Sequence, residues 1–381
     1  MLINLIHGIL KMIVLHIITG LNRGGAEFSL LKILLSDTEW KKKSVIISLT
    51  DVGELGSFLL SRGFKVYSLK MNKLLKAPSA IIRLITIIKK INPDIVHTWM
   101  YHADFVGGLA SRFCGIKNIV WSIRRSTAPP KSSMTYYILL LCAKTSNWIP
   151  RKIVCVAKSA AKNHISYGYF KEKIVVIHNG IDFDKLKGDD FFDFEFKLPS
   201  NTIIIGCIGR FHYDKGQDLL VKASRKIIEE NSRVIFVLVG KGCDYSNKCL
   251  VDLLIKEKVI NNYYLMGEQK NVFQFLSSFD IYCMPSRTEG FPNALLEAMA
   301  MKLPCISTNV GDAEFILGQT GFLVDKICSD CIYMELKKVI NMSQKERLNI
   351  GDNSAKRVRE FSIDVMTNQY INLYADIVDK S

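Results

Sequence analysis

No apolar run in this chain approaches the ~20 residues that a membrane-spanning helix needs. The apolar opening, "MLINLIHGILKMIVLHII", is interrupted by Lys11 and lacks a basic start and a small-residue cleavage site. Its second half reads as a first strand, Met12–Ile18. Residues 1–11 read as an extension or as a short membrane-touching segment. Close cysteine pairs are scarce as well: of ten cysteines only Cys328 and Cys331 stand at metal-like spacing, with no second pair and no nearby histidine. A zinc site is therefore not expected, and buried free thiols in a reducing compartment fit better. Prolines number only nine and low-complexity tracts are missing, while 49% of residues are hydrophobic. Disorder is excluded on that composition, and 381 residues suggest two domains or three.

Acidic residues are few in the first half. Residues 1–187 hold 28 Lys and Arg against 10 Asp and Glu, a balance of +18, whereas residues 188–381 stand at −3. The whole excess of the net +15 thus lies in one half. Such a half suits an anionic surface: nucleic acid, anionic lipid or a phosphorylated acceptor. A plain solubility bias is the competing reading.

What is abundant is alternation. Short β-rich runs recur at Met12–Ile18, Ser44–Leu49, Lys65–Leu69, Ile95–His97, Ile119–Ser122, Ile153–Val156 and Ile174–Ile177. A second series follows at Ile203–Ile208, Val234–Val239, Tyr263–Leu265, Ile281–Met284, Pro304–Ser307 and Gly321–Leu323. Amphipathic stretches such as Ala26–Leu35 and Ser79–Ile91 lie between them. Strand–helix alternation implies parallel sheets covered on both faces, hence two doubly wound α/β domains. The poorly periodic separator "FDKLKGDDFFDFEFKLPS" reads as the linker. Ligands of such sheets bind beyond the carboxyl ends of strands, so two domains facing each other would form a cleft.

Four stretches at predicted strand ends carry chemistry. In "TGLNRGGAEFSLLKIL", Gly24 and Gly25 precede a helix whose first N–H groups suit a phosphate, although a tight turn is a serious competitor. In "IVHTWMYHADFVGG", His97 and His102 follow a strand end with Trp99 and Tyr101 between them, a pattern open to function or to structure. In "CIGRFHYDKGQDLLVKA", Arg210 and Lys215 offer a fork and a point charge to a diphosphate, or form a solvated basic loop. In "RTEGFPNALLEAMA", Glu289 stands before a helix start and Glu297 more than one turn inside it, with Pro292 in the first helical turn. Two acceptors around one helix start suit the vicinal hydroxyls of a sugar and of a ribose. The triplet Asp182-Phe183-Asp184 imitates a metal-holding DxD motif but reads as a turn and cap.

Taken in this order, the motifs resemble a family-4 retaining glycosyltransferase of the GT-B fold across nearly the whole chain. "NRGGAE" resembles the family's glycine loop, "HNGID" its entry to the second domain, "GRFHYDKG" its Arg…Lys diphosphate clamp and "EGFPNALLE" its E-x7-E signature. "HTWMYHADFVGG" and "WSIRRS" resemble the bacterial members that build O-antigen, capsule and exopolysaccharide. The resemblance implies that Arg210 and Lys215 hold a donor diphosphate. It implies that Glu289 binds the transferred sugar, with Gly290, Phe291, Pro292 and Asn293 near sugar and phosphate, and that Glu297 takes the ribose hydroxyls. His97 would lie near the reacting sugar, Gly24 and Gly25 near donor phosphate or acceptor, and Trp99, His102, Arg124 and Arg125 on the acceptor side. The pattern departs at "NVGDAEFI", where Asp312 follows a single glycine.

The expectation is therefore an N-terminal acceptor-binding Rossmann-like domain over 1–185, a nucleotide-sugar-binding one over 186–360, and a C-terminal helix over 361–381 that packs back on the first. The expected reaction moves a sugar, with retention, from a nucleotide sugar (probe candidates being UDP- and GDP-sugars) to an undecaprenyl-diphosphate-linked saccharide, without metal or other cofactor. The enzyme would be cytoplasmic, peripheral on the anionic inner leaflet, and would bind no nucleic acid. The competing readings are a GT-B epimerase, a glucan synthase, or a non-catalytic membrane- or nucleic-acid-binding protein. Clustered basics at Lys41–Lys43, Lys89–Lys90, Arg124–Arg125 and Arg151–Lys152 carry the membrane expectation, with "MTYYILLLCAK" at 134–144 as a shallow insert or, more simply, a buried helix.

Overall fold

The computed structural model describes residues 12–36, 43–71, 77–186, 199 and 201–379. Residues 1–11, Lys41, Lys42 and most of the 183–200 separator lie outside the described residues. The chain forms two compact units, residues 1–180 with 363–381, and residues 181–362.

The first unit holds a seven-stranded sheet: β1 (Val14–Ile18), β2 (Ser44–Ser48), β3 (Lys65–Ser68), β4 (Ile95–Trp99), β5 (Ile119–Ile123), β6 (Lys152–Cys155) and β7 (Ile174–Val176). Its strand order is β3-β2-β1-β4-β5-β6-β7, and every pairing is parallel. Strands reading VLHII, SVIIS, IVHTW and IVWSI are buried along their whole length. That is why these segments are near-continuous apolar runs rather than alternating ones. The helices α1 (Gly25–Leu35), α2 (Ala77–Ile91), α3 (Tyr101–Phe113), α4 (Met134–Thr145) and α5 (Lys158–Ser166) follow β1, β3, β4, β5 and β6. The run at 134–144 is thus a helix, α4; it buries Leu139, Cys142 and Ala143 and leaves Met134, Tyr137 and Leu141 exposed.

The second unit holds β8 (Ile203–Ile208), β9 (Val234–Val239), β10 (Tyr263–Leu265), β11 (Ile281–Met284), β12 (Cys305–Thr308) and β13 (Phe322–Val324) in the order β10-β9-β8-β11-β12-β13, again parallel. Helices α6 (Gln217–Glu230) and α7 (Asn293–Ala300) follow β8 and β11. Helix α8 (Ser329–Ile340) is capped by Cys328, which forms a disulfide with Cys331 across a Cα separation of 5.4 Å. This corrects the reading of that pair as free thiols; Cys142, Cys155, Cys207, Cys243, Cys283 and Cys305 are free and buried.

The last helix, α9 (Ile363–Asp379), belongs to the first unit. Its buried Met366, Tyr370, Tyr374 and Ile377 join the core built on β1, β4 and α1. Tyr374 meets His97 Nδ1 through its hydroxyl at 2.6 Å, and Arg124 donates to the Tyr370 hydroxyl at 3.1 Å.

Among the described residues, three histidines are buried in this unit. Burial pulls His16 down to about 3 and His164 down to about 4, and burial, with the His16 and Arg124 charges, also lowers His97. Each stays neutral in the fold while its unfolded counterpart takes up a proton near pH 6.5. Below that pH the unfolded chain holds more protons, so stability falls on acidification by up to about 1.4 kcal/mol per pH unit per histidine. Asp104 acts in the opposite sense: burial raises it to about 7, so it adds stability as the pH drops from 7 toward its unfolded value of 3.8. Three groups outweigh one. The urea midpoint should fall from pH 7.5 to pH 5, less steeply in a His164→Gln variant; an equal or higher midpoint at pH 5 would contradict this balance.

Candidate active site

Each sheet reverses its strand order once, between β1 and β4 in the first unit and between β8 and β11 in the second. Such a switch point leaves a crevice at the carboxyl ends of the strands. The four sequence stretches singled out above lie within or just after these four strands.

In the second unit, residues 74 positions apart in sequence meet: Lys215 Nζ lies 2.7 Å from Glu289 Oε1. Ser286 Oγ donates to the same carboxylate oxygen at 2.7 Å. Only 11% of the Glu289 side chain is exposed, against 30% for Lys215. The pair is therefore screened less than a surface ion pair, and each charge depends on the other for neutralisation.

Lys215 closes a 3-10 turn, Tyr213–Lys215, and Gly216 follows with φ +66. A side chain at Gly216 would run into the Pro285 carbonyl, so glycine lets the β8 loop lie directly on the β11 loop. Arg287 then fastens the two loops. It forms a two-pronged bond to Asp218 at 2.7 and 2.6 Å, donates to the Tyr213 carbonyl at 2.7 Å, and stacks on the Tyr213 ring at 4.1 Å. Its backbone N–H also donates to the Asp214 carbonyl at 2.7 Å. Burial opposes ionisation of Asp218, but the hydrogen bond and charge of Arg287 outweigh it and hold the carboxyl below its ordinary value. The buried Gln217 amide donates to the carbonyls of Gly209 (3.1 Å) and Arg210 (2.9 Å), shaping the turn from which the exposed Arg210 side chain projects.

Beyond Glu289 the chain turns through Gly290 and the buried Phe291, which packs edge-on against Phe361. Pro292 caps α7 rather than occupying its first turn, and the helix begins at Asn293. Pro292, at the cap position, makes no side-chain hydrogen bond to that helix start. Glu297 is half-buried, one turn into the helix. Gly311, at φ +61, allows the β12 loop to press on the Glu289–Gly290 backbone, where the Asp312 N–H donates to the Gly290 carbonyl at 3.0 Å. Asp312 itself is buried.

In the first unit the picture differs from the expectation. His97 is the central residue of β4, not a residue beyond its end, and it is fully buried. Its ring lies 4.4 Å from that of Trp99, which is also fully buried and donates to His16 Nδ1 at 3.3 Å. Neither ring presents surface to a ligand, because α9 covers them with Tyr370 and Tyr374. Tyr101 is likewise buried, its hydroxyl 2.7 Å from His164 Nε2. Arg124 is half-buried and reaches Asn179, Tyr370 and the Trp99 ring. His102, half-buried in the first turn of α3, and the exposed Arg125 keep accessible surface. Gly24 is extended and caps α1, Gly25 opens it, and the Glu27 carboxylate folds over Gly24. Met100, between β4 and α3, adopts φ +72 and ψ +156, a region that costs a non-glycine residue about 1–3 kcal/mol.

Asp182 accepts from the Asp184 N–H at 3.1 Å, the geometry of a turn. Among the described residues no group of three or more His, Cys, Asp and Glu comes together.

The two parallel sheets and their switch points define a GT-B architecture. Anabaena HepE in complex with UDP superposes with a TM-score of 0.81 at 20% identity, over 96% of this chain and 100% of that one. The lipopolysaccharide outer core galactosyltransferase WaaB superposes at 0.71 with 15% identity, over 96% and 100%. Residues 23–185 match Glycosyltransferase Family 4 and residues 202–341 match Glycosyl transferases group 1, and the chain belongs to this family of enzymes. Among its relatives are the capsular polysaccharide biosynthesis glycosyltransferase CapM of Staphylococcus aureus, 26% identical over 79% of this chain and 82% of that one. Another is the UDP-Gal:alpha-D-GlcNAc-diphosphoundecaprenol alpha-1,3-galactosyltransferase of Escherichia coli, 27% identical over 83% and 84%.

Sequence reasoning missed Ser286, Arg287, Asp218 and Gln217. Arg287 opens the very stretch that drew attention to Glu289, and Asp218 stands two residues after Gly216. A cation and a carboxylate beside the two candidate groups were the available signal. If the Arg287–Asp218 bond fastens the loops, Arg287→Ala and Asp218→Asn should each destabilise the protein. The double variant should lose about 1 kcal/mol less than the sum. A double-mutant cycle by urea unfolding measures this, and strictly additive losses would remove the clamp.

Proposed function

We propose that this glycosyltransferase moves a sugar, with retention, from a nucleoside diphosphate donor to a hydroxyl of a lipid-linked saccharide during synthesis of a bacterial surface polysaccharide. The observation that carries the reading is the Lys215–Glu289 contact at the switch point of the second sheet, with Arg210 on the same loop. A sugar diphosphate offers phosphate oxygens to Lys215 and Arg210 and hydroxyl donors to Glu289, so it can satisfy both members of the pair at once. The UDP and UDP-glucose complexes of HepE support a UDP-sugar donor, and the names of CapM and the galactosyltransferase support a capsule or O-antigen product on an undecaprenyl diphosphate carrier.

In this proposal the bond between the anomeric carbon and the diphosphate oxygen breaks as charge builds on the leaving group. Lys215, Arg210 and the start of α7 stabilise that charge. The acceptor hydroxyl attacks from the same face, and its proton passes to the departing phosphate oxygen. The products are the extended saccharide and a nucleoside diphosphate. Glu289 orients the sugar and Glu297 takes the ribose hydroxyls. Gly24 and Gly25 border the donor phosphate or acceptor. His97, buried under α9, supports the sheet instead of touching the reacting carbon. No metal or cofactor enters, and the protein works at the cytoplasmic leaflet, drawn there by its basic half; no helix among the described residues is long and apolar enough to cross a membrane.

Lys215→Ala or Arg210→Ala should lower single-turnover rates by roughly 2–4 kcal/mol of transition-state stabilisation. Glu289→Gln should damage turnover and sugar selectivity, whereas Glu297→Gln should mainly weaken binding of the free nucleoside diphosphate. Wild-type rates in both cation variants would sink the assignment, and a reversed pattern in the glutamates would exchange their roles. Transfer should also persist in EDTA. Activity abolished by the chelator and restored by Mn²⁺ would bring Asp182 and Asp184 back as ligands.

A further inference from the structure

Helix α4 turns an apolar face to the outside. Its exposed positions are Met134, Tyr137, Leu141 and Lys144, at spacings of three and four, so they form one stripe along the helix. Leu139, Cys142 and Ala143 occupy the opposite, buried face. Met134 is 72% exposed, Tyr137 56% and Leu141 43%. A surface helix ordinarily shows charge there, and α6 does: its exposed positions are Lys222, Arg225, Lys226, Glu229 and Glu230. On α4 a single lysine interrupts three large apolar side chains.

The stripe continues past the helix. Trp148, in the loop that follows, is 59% exposed. Arg112, at the end of α3, donates to the Trp148 carbonyl at 2.7 Å and the Ile149 carbonyl at 2.9 Å. The end of α3 thus lies beside that loop, and the next residue, Phe113, is 78% exposed. The twelve residues of α4 span about 18 Å, and the apolar side chains run that whole length.

Charge identifies what covers this face. Residues 105–171 hold eleven Lys and Arg and no Asp or Glu. The acids that bound the stretch are Asp104, which is buried, and Glu172. Two copies of the face laid together would join cation-rich surfaces that bring no carboxylate of their own segment. A sheet of anionic lipid offers hydrocarbon to the stripe and phosphate to its flanks at once.

We infer that α4 and the Trp148 loop form a docking surface for an anionic bilayer. The helix lies in the plane of the membrane: Met134, Leu141 and Trp148 enter the acyl boundary, Tyr137 keeps its hydroxyl among the headgroups, and Lys144 extends its stem toward the phosphates. The inference rests on the reading of a membrane-borne acceptor and deepens it, since diffuse attraction by a basic half selects no face whereas an inserted helix fixes one.

The test uses the full chain and vesicles of phosphatidylcholine alone or mixed with phosphatidylglycerol. Wild type should co-sediment with the mixed vesicles, and bromine on the acyl chains should quench part of its tryptophan emission. Trp148→Phe should abolish that quenching. Tyr137→Ser with Leu141→Ser should weaken partitioning about tenfold or more. Leu60→Ser with Ile82→Ser removes exposed apolar side chains elsewhere in the unit and should leave partitioning nearly unchanged. Equal losses in the two double variants, or quenching that survives in Trp148→Phe, would overturn the α4 surface. A wild type that is dimeric without lipid, and monomeric as the Tyr137/Leu141 variant, would overturn the bilayer in favour of a second copy. Sugar transfer to a detergent-solubilised acceptor should persist in that variant. Absence of vesicle binding by a wild type that still transfers sugar would sink this inference alone, whereas absence of transfer in detergent would strike the proposed reaction.

Discussion

A parallel strand must be followed by a crossover, and where strand order reverses, the crossovers leave to opposite faces of the sheet. The loops at that point cannot close over one another. Both sheets obey this constraint, at β1/β4 and at β8/β11. Everything of chemical interest in the second unit follows from it: the loop after β8 and the loop after β11 emerge side by side, and the cation on one reaches the carboxylate on the other. The register explains the fineness of the fit, since Ile205 of β8 lies opposite Ile281 of β11.

The Lys215–Glu289 contact has a property that an isolated cation would lack. Each partner is partly withdrawn from water, so neither can be left alone without cost. A ligand that enters must replace both interactions, offering an acceptor to the lysine and a donor to the glutamate. A bare phosphate does the first and a neutral sugar the second. Arg287 and Asp218 fasten the two loops that carry the pair.

The strands were legible because buried parallel strands are written as apolar runs, and all thirteen fall where those runs lie. Gly216 was legible as a turn residue, and its packing against Pro285 gives the reason for it. Other features were not. "IVHTW" does not say where a strand ends, and two more residues of β4 carried His97 from the rim into the interior. Its cover, α9, comes some 270 residues later, and no local pattern foretells such a contact. Arg124 looks like any basic loop residue until Asn179 and Tyr370 are beside it. The Cys328–Cys331 bond depends on the backbone at the start of α8, which spacing alone leaves open between thiols, metal and disulfide.

The return of α9 to the first unit has a consequence for how the polypeptide is made. Residues 181–362 are contiguous, so that unit has all its parts as soon as they leave the ribosome. The first unit is split: its sheet emerges before the second unit, but Met366, Tyr370 and Tyr374 arrive after it. Until then the faces of His97 and Trp99 that these tyrosines cover stay open to water. The usual order of domain completion, N-terminal first, is thereby inverted. The nascent chain carries an unfinished apolar surface while the second unit is being made, and α9 acts as the closing piece of the domain that was begun earlier.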